Sequence, residues 1–282
     1  MVEDQSSQNT HNGRRQVASE TTIPLAQRAE QLGITATSLR RYVNLGSVSG
    51  TVSRVGNRIY VANDLLITAP RARRKLQTKS NLVLDNRSSV VSRETGETSV
   101  SVELNVDGHG EFHGSTGDHM FDHLLAQLAR HGLLDVGINV RSDNLPDNHH
   151  LVEDVAIVLA RALREALREG IGMRRMGSAM IPLDETLASV ALDVGGRGYA
   201  VVDLQLDGRT VGSLPGELIE HFLERFAIES GISLHATILK GRDPHHKAEA
   251  IFKALARSLR VALERDPRAI AEIPSTKGTV FG

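Results

Sequence analysis

HHLVEDVAIVLARALREAL, residues 149–167, and HHKAEAIFKALARSLRVAL, residues 245–263, align without a gap and agree at 10 of 19 positions. The stretches ahead of them correspond in pattern, FDHLLAQLA at 121–129 with EHFLERFA at 220–227, each followed by a strand and a loop. The second halves of both units therefore read as copies, and the chain from about residue 87 onward as a duplicated α+β unit. Two copies are too few for a solenoid. Duplication implies instead a pseudo-two-fold arrangement with two similar sites.

Each copy opens with His-His-x-x-Glu at an expected helix start. On a helix the first His and the Glu stand at i and i+4, on one face, while the second His is turned by roughly 100°. Neighbouring histidines so placed serve two ions more readily than one. Imidazole and carboxylate without sulfur suit Mn, Fe, Zn or Co rather than Ca or Mg. One such motif alone reads as a solvent-facing helix start; two in register inside a repeat do not. With His123 and His235 they supply six histidines and two glutamates, enough for two ions with four protein ligands each and positions left for substrate.

Working outward, TSVSVELNVDG from residue 98 alternates as a strand should, and helical patterns run over 121–131 and 149–169. Strand-like SVALDVGG and YAVVDLQL follow, then helical 215–230, strand-like ISLHATIL and helical 245–264. Mixed segments of this kind read as an α+β domain. Gly195-Gly196 reads as a turn.

The 282 residues carry a net charge of −1, but unevenly: residues 1–80 hold 12 Lys/Arg against 5 Asp/Glu, the remainder 21 against 29. A basic head on an acidic body implies two domains with different partners. There are no cysteines, which excludes disulfides, thiolate metal sites and a cysteine nucleophile, and fits a reducing compartment. No apolar run is long enough to span a membrane, and no basic-then-apolar leader opens the chain, so a cytoplasmic protein is expected.

Residues 1–20 are polar and read as a disordered tail. Residues 21–69 read as a small head: two short helices over 22–45, with Pro24 in the first turn, a stop at Gly33, a cap at Thr35 and a stop at Gly46, then TVSRVGNRIYV as a hairpin around Gly56-Asn57. Residues 70–86 form a basic linker. LAQRAEQLGITATSLRRYVNLG followed by GNRIYVANDL resembles the winged helix-turn-helix heads of the MerR and excisionase families. That resemblance implies a DNA partner met by Thr37, Ser38, Arg40 and Arg41, with Arg54 and Arg58 on the wing. A solvated basic helix pair that serves assembly is the plainer reading.

TGDHMFDHLLAQLARHG, DNHHLVEDVAIVLARAL, RRMGSAMIPLDETLASVALDVGGRG, SLHATILKGRDPHHKAEAIFKALARSLR and the terminal PSTKG resemble, in order and spacing, the imidazoleglycerol-phosphate dehydratases over about residues 87–282. The resemblance implies a duplicated α/β unit of the ribosomal-protein-S5-domain-2-like kind, with helices between two sheets. It also implies a homo-oligomer of 24 subunits with sites at subunit contacts, and two Mn(II) per subunit. The ligands would be His123, His149, His150, Glu153, His235, His245, His246 and Glu249. Arg175, Arg197, Ser275, Thr276 and Lys277 would bind the substrate phosphate, and Glu97 would contact substrate.

The implied reaction is the dehydration of imidazole glycerol phosphate to imidazole acetol phosphate in histidine biosynthesis. The proton lost is barely acidic, and a metal-bound imidazolate ring lets electrons push out the neighbouring hydroxyl. A carboxylate or histidine at the open face moves the proton, with Glu185 as the candidate. His131 and His221 read as structural, His109 and His113 as exposed loop residues. The chain departs from the family at Asp118-His119-Met120, where an apolar-glycine-aromatic stretch is usual. It departs also at Asn148, where Asp is usual, at Asp243-Pro244 and at Gly198. These changes bear on loop shape, and His119 reads as a surface residue. The alternative function is a DNA-binding regulator whose body senses a histidine-pathway ligand.

Overall fold

A computed structural model describes residues 22–44, 48–55, 58–63, 65–67, 86–142 and 148–281. The expected tail over 1–20, the stop at Gly46, the turn at Gly56-Asn57 and the basic stretch over 70–79 lie outside them. The chain divides into two compact units, residues 1–83 and 84–282. Among the described residues no helix is long and apolar enough to cross a membrane.

The first unit holds strand β1 (Thr22–Pro24), helices α1 (Leu25–Gln31) and α2 (Ala36–Asn44), and strands β2 (Val48–Ser49), β3 (Val52–Val55), β4 (Arg58–Ala62) and β5 (Leu66–Ile67). Gly33, at φ +65°, ends α1, and the Thr35 hydroxyl accepts from the Ser38 amide at 3.1 Å to start α2. β3 and β4 pair antiparallel with Val55 opposite Arg58. Leu25, Ala29, Leu39, Val61, Ala62 and Leu65 form a small core of their own.

The second unit opens with β6 (Ser88–Glu94), β7 (Thr98–Asn105), β8 (Phe112–Ser115), α3 (His119–Gly132), β9 (Asp135–Ser142) and α4 (His149–Leu167). It continues with β10 (Met176–Leu183), β11 (Thr186–Val194), β12 (Tyr199–Asp203), the short hairpin β13 (Thr210–Val211) and β14 (Leu214–Pro215), α5 (Gly216–Ser230), β15 (Ile232–Lys240) and α6 (Pro244–Leu263). The two four-stranded sheets have the same topology: β6-β7-β9-β8 and β10-β11-β15-β12, antiparallel except for the parallel last pair in each. The duplication read from the helices thus extends to the sheets.

In the first copy α4 lies on β6 and β7 and α3 on β8 and β9; in the second α6 lies on β10 and β11 and α5 on β12 and β15. The copies meet through their helices, α3 against α6 and α4 against α5. The helices therefore form the middle of this unit, and one continuous apolar core joins them to both sheets. The approach is close: a Cβ on Gly177 of β10 would stand 2.1 Å from the Ser258 carbonyl oxygen of α6. Phe121, Phe222 and Phe252, from α3, α5 and α6, stack or meet edge to face at centroid distances of 5.2–5.6 Å. Each stands within three residues of a histidine or glutamate discussed below, so the ligand-bearing turns rest on rigid aromatic packing.

Candidate active site

Because the copies pack helix against helix, each His-x-x-x-Glu face meets a histidine from the other copy. His245 and Glu249 of α6 face His123 of α3; His149 and Glu153 of α4 face His221 of α5. Within each trio the ligand atoms lie within 4.8 Å of one another. Glu249 Oε2 is 3.0 Å from His123 Nε2 and 3.2 Å from His245 Nε2, and the two imidazoles stack with centroids 5.6 Å apart. In the second trio His149 stacks on His221 at 4.8 Å, and His221 Nε2 is 3.7 Å from Glu153 Oε1.

Each carboxylate also holds a cation. Lys253, one turn on, pairs with Glu249; Arg225 Nε lies 3.3 Å from Glu153 Oε1. Burial pushes the Glu249 carboxyl up, but the Lys253 ammonium and the His123 imidazole outweigh it and hold the group at about 2, so it is an anion at neutral pH. His221 Nε2 is buried without a hydrogen-bond partner. Buried polar atoms are normally paired, and a metal ion at this trio would satisfy that nitrogen. Two imidazoles and one carboxylate per group suit a transition ion such as manganese, iron, cobalt or zinc.

The second histidine of each pair turns away from its trio, as helical rotation requires, and meets a carboxylate on a hairpin tip. His150 Nε2 lies 3.3 Å from Glu97 Oε2, between β6 and β7; His246 Nδ1 lies 2.8 Å from Glu185 Oε2, between β10 and β11. The first hairpin is pinned to α4 by the buried Asp154, which bonds both Arg93 and Thr98. Glu185 is more heavily engaged: its Oε1 accepts from the amides of Asp243 and Arg242 at 2.9 and 3.0 Å. Those amides, with the His246 ring, hold its carboxyl far below the usual carboxylate range, and Glu185 in turn raises the pKa of His246.

Several expectations meet a different arrangement here. His150, His246 and His235, all expected among the ligands, are in neither trio. On β15 alternate side chains face opposite ways, and while Leu234 and Ala236 are buried against the helices, His235 is exposed on the outer face. His221, expected to be structural, takes the equivalent place. The repeat carried that signal, since His221 aligns with His123. Lys253 stands at i+4 from Glu249, a helical ion-pair spacing that the sequence offers, whereas Arg225 reaches Glu153 from another helix and spacing gives no sign of it.

Among the expected phosphate residues, Arg175 is committed within the chain. It grips Asp193 at 2.7 and 2.9 Å and donates to the Pro274 carbonyl at 2.9 Å, which ties it to the turn of Ser275, Thr276 and Lys277. Gly196, at φ +79°, is where a Cβ would meet the Val280 carbonyl at 2.3 Å, so the loop of Arg197 packs on the same terminal segment. Arg197 and Lys277 are both exposed. In the head, Thr37, Arg40, Arg41 and Arg58 are exposed, while Ser38 is turned back to Thr35 at 2.9 Å and Arg54 donates to Asn44 Oδ1 at 2.9 Å.

Fold and site together define a class: a duplicated α+β protein with a paired histidine–carboxylate site built across its two copies. Residues 116–259 match the family model for imidazoleglycerol-phosphate dehydratase. An imidazoleglycerol-phosphate dehydratase of Dehalococcoides mccartyi is 50% identical over 195 residues, 69% of this chain and 98% of that relative. One from Methanothermobacter thermautotrophicus is 48% identical over 192 residues, 68% of this chain and 97% of the relative. The solved Pyrococcus furiosus structure shares 34% identity with a TM-score of 0.57, covering 67% of this chain and 99% of that one. The Staphylococcus aureus structure shares 31% with a TM-score of 0.56, covering 63% and 99%. The chain belongs to the imidazoleglycerol-phosphate dehydratase family and is an enzyme of the hydro-lyase type. Nearly a third of it has no counterpart in the first of these relatives.

Proposed function

We propose that the chain converts imidazole glycerol phosphate to imidazole acetol phosphate in histidine biosynthesis, with two manganese ions held by the paired trios. The observation that carries this reading is the assembly of two equivalent His-His-Glu groups across the repeat, by His123, His245 and Glu249 and by His149, Glu153 and His221. Divalent metal at both groups would supply Lewis acidity to the two ring nitrogens of the substrate.

The chain's own groups do the rest. Glu249, an anion at neutral pH, is ready as a ligand, and Lys253 fixes its orientation. Glu97, half-exposed beside His150, is the better group to move the substrate proton. Glu185 is too acidic and too fully hydrogen-bonded for that work; its role is to hold His246. Arg197 and Lys277 bind phosphate, and Arg175 orients the Ser275–Lys277 turn. The outer faces of the sheets expose Val90, Met176, Met180, Tyr199 and Leu239, large apolar side chains of the kind that interfaces cover, which supports assembly into a large homo-oligomer such as the 24-subunit cage. The test is turnover of imidazole glycerol phosphate by the purified full chain with Mn(II): product formation supports the reading, and a well-folded, metal-loaded chain without turnover opposes it.

A second activity belongs to the head. α2 exposes Thr37, Arg40 and Arg41, and Arg54 ties β3 to the end of that helix through Asn44. This basic surface with no acidic residue on α2 favours duplex DNA as a partner. Salt-sensitive duplex binding that disappears on Arg40→Ala with Arg41→Ala supports it. Binding that survives that change, and fails only when Arg71, Arg73, Arg74 and Lys75 are replaced, assigns the affinity to the linker instead.

A further inference from the structure

Asp118 is nearly buried, at 8% exposure, and both its oxygens are used. Oδ1 caps α3, accepting from the amides of Met120 and Phe121 at 2.9 Å each; His123 follows within the first turn and a half. Oδ2 accepts from Asn148 Nδ2 at 2.9 Å and from Ser213 Oγ at 2.6 Å. Asn148 immediately precedes His149 at the start of α4, and Ser213 lies in the β13–β14 hairpin that delivers the chain into α5 and His221. One carboxylate thus joins the entries of three of the four helices that carry the trios.

The second copy is built differently. There Asp243 caps its own helix, accepting from the amides of His245 and His246 at 2.8 and 3.1 Å. α4 has no side-chain cap: Asn148 gives its amide to Asp118 instead. Asp118 and Asn148 thus form one unit that bridges the starts of α3 and α4.

We infer that Asp118 is a positioning residue that sets His123, His149 and His221 in register, so that both metal groups depend on a single buried carboxylate. This rests on the metal reading of the trios. Calorimetric titration of the chelator-stripped, assembled full chain with Mn(II) tests it, alongside the melting temperature. Asp118→Ala should weaken both sites by about 10- to 100-fold, the usual effect of removing a group that orients ligands. Asn148→Asp, nearly isosteric, sets two carboxylates against each other and should weaken both sites as well. Asp118→Asn combined with Asn148→Asp rebuilds the pair in reverse and should restore both affinities. A lower melting temperature with unchanged affinities, or no recovery in the combined variant, overturns the inference. Absence of Mn(II) binding in the unaltered chain would instead sink the metal reading, and this inference with it.

Discussion

Lys277 is exposed on the turn that Arg175 holds through the Pro274 carbonyl, and among the described residues its ammonium makes no ion pair. A charge-assisted bond to phosphate contributes about 1.5–3 kcal/mol, so Lys277→Ala should raise KM about 10- to 100-fold with little change in kcat. Steady-state kinetics with inorganic phosphate as competitor checks this; an unchanged KM would remove Lys277 from the site. The two hairpin glutamates separate in the other direction. Glu97→Gln should lower kcat by about 100-fold or more if it moves the proton while leaving Mn(II) binding intact, whereas Glu185→Gln should act only by loosening His246 and so lower kcat less. At this scale the sequence is informative where chemistry repeats. The two His-His-x-x-Glu motifs name four histidines and two glutamates that the structure places in and around the trios. The place of His235 is not legible, because a histidine in a strand carries no mark of which face it takes. His221 is legible only through its alignment with His123, since its own neighbours suggest nothing beyond a helix surface.

At the scale of elements, Arg87 carries a junction between the copies. Buried just ahead of β6, it bonds Asp107 after β7 and donates to the Leu263 carbonyl, the last residue of α6, at 2.7 Å. The Arg87 guanidinium holds the Asp107 carboxyl below its ordinary 3.8, against the effect of burial. A carboxyl depressed in the folded state contributes stability above its unfolded pKa and loses it as pH falls through the folded value. Asp107→Asn should therefore destabilise by about 1 kcal/mol or less at neutral pH, given the partial exposure of the pair, and the difference should shrink as pH falls below 3.8 and through the folded value. Denaturant melts at two pH values test this, and a constant difference would contradict it. The long helices and β7, β11 and β15 are legible because their apolar periods are strong. β6 and β10 are not: SSVVSRE is an edge strand with alternate residues exposed, and MGSAMIPL contains a glycine and a proline that argue against a strand. Their existence follows from the repeat only once the sheets are seen.

For the whole molecule, the head and the body are separate compact units with separate cores. Residues 81–282 alone should form the same oligomer as the full chain and keep its activity, measured by light scattering and turnover; a monomeric, inactive truncation would make the head structural. If the body assembles into a cage, many heads are displayed at once, and weak single-head affinity for duplex DNA is amplified by multivalency. The duplication and the two-unit division can be read from sequence because they rest on repeated motifs and on charge. The crossing of α3 to α6 and α4 to α5, which builds each trio from both copies, is a product of packing and cannot. That crossing creates the two equivalent groups on which the proposed reaction depends, and the most direct test is to strip the full chain with a chelator and titrate turnover with Mn(II). Activity should be lost on stripping, return with added ion, and level off at two equivalents per chain. Turnover indifferent to the chelator, or complete at one equivalent, would contradict a reaction carried by two equivalent groups.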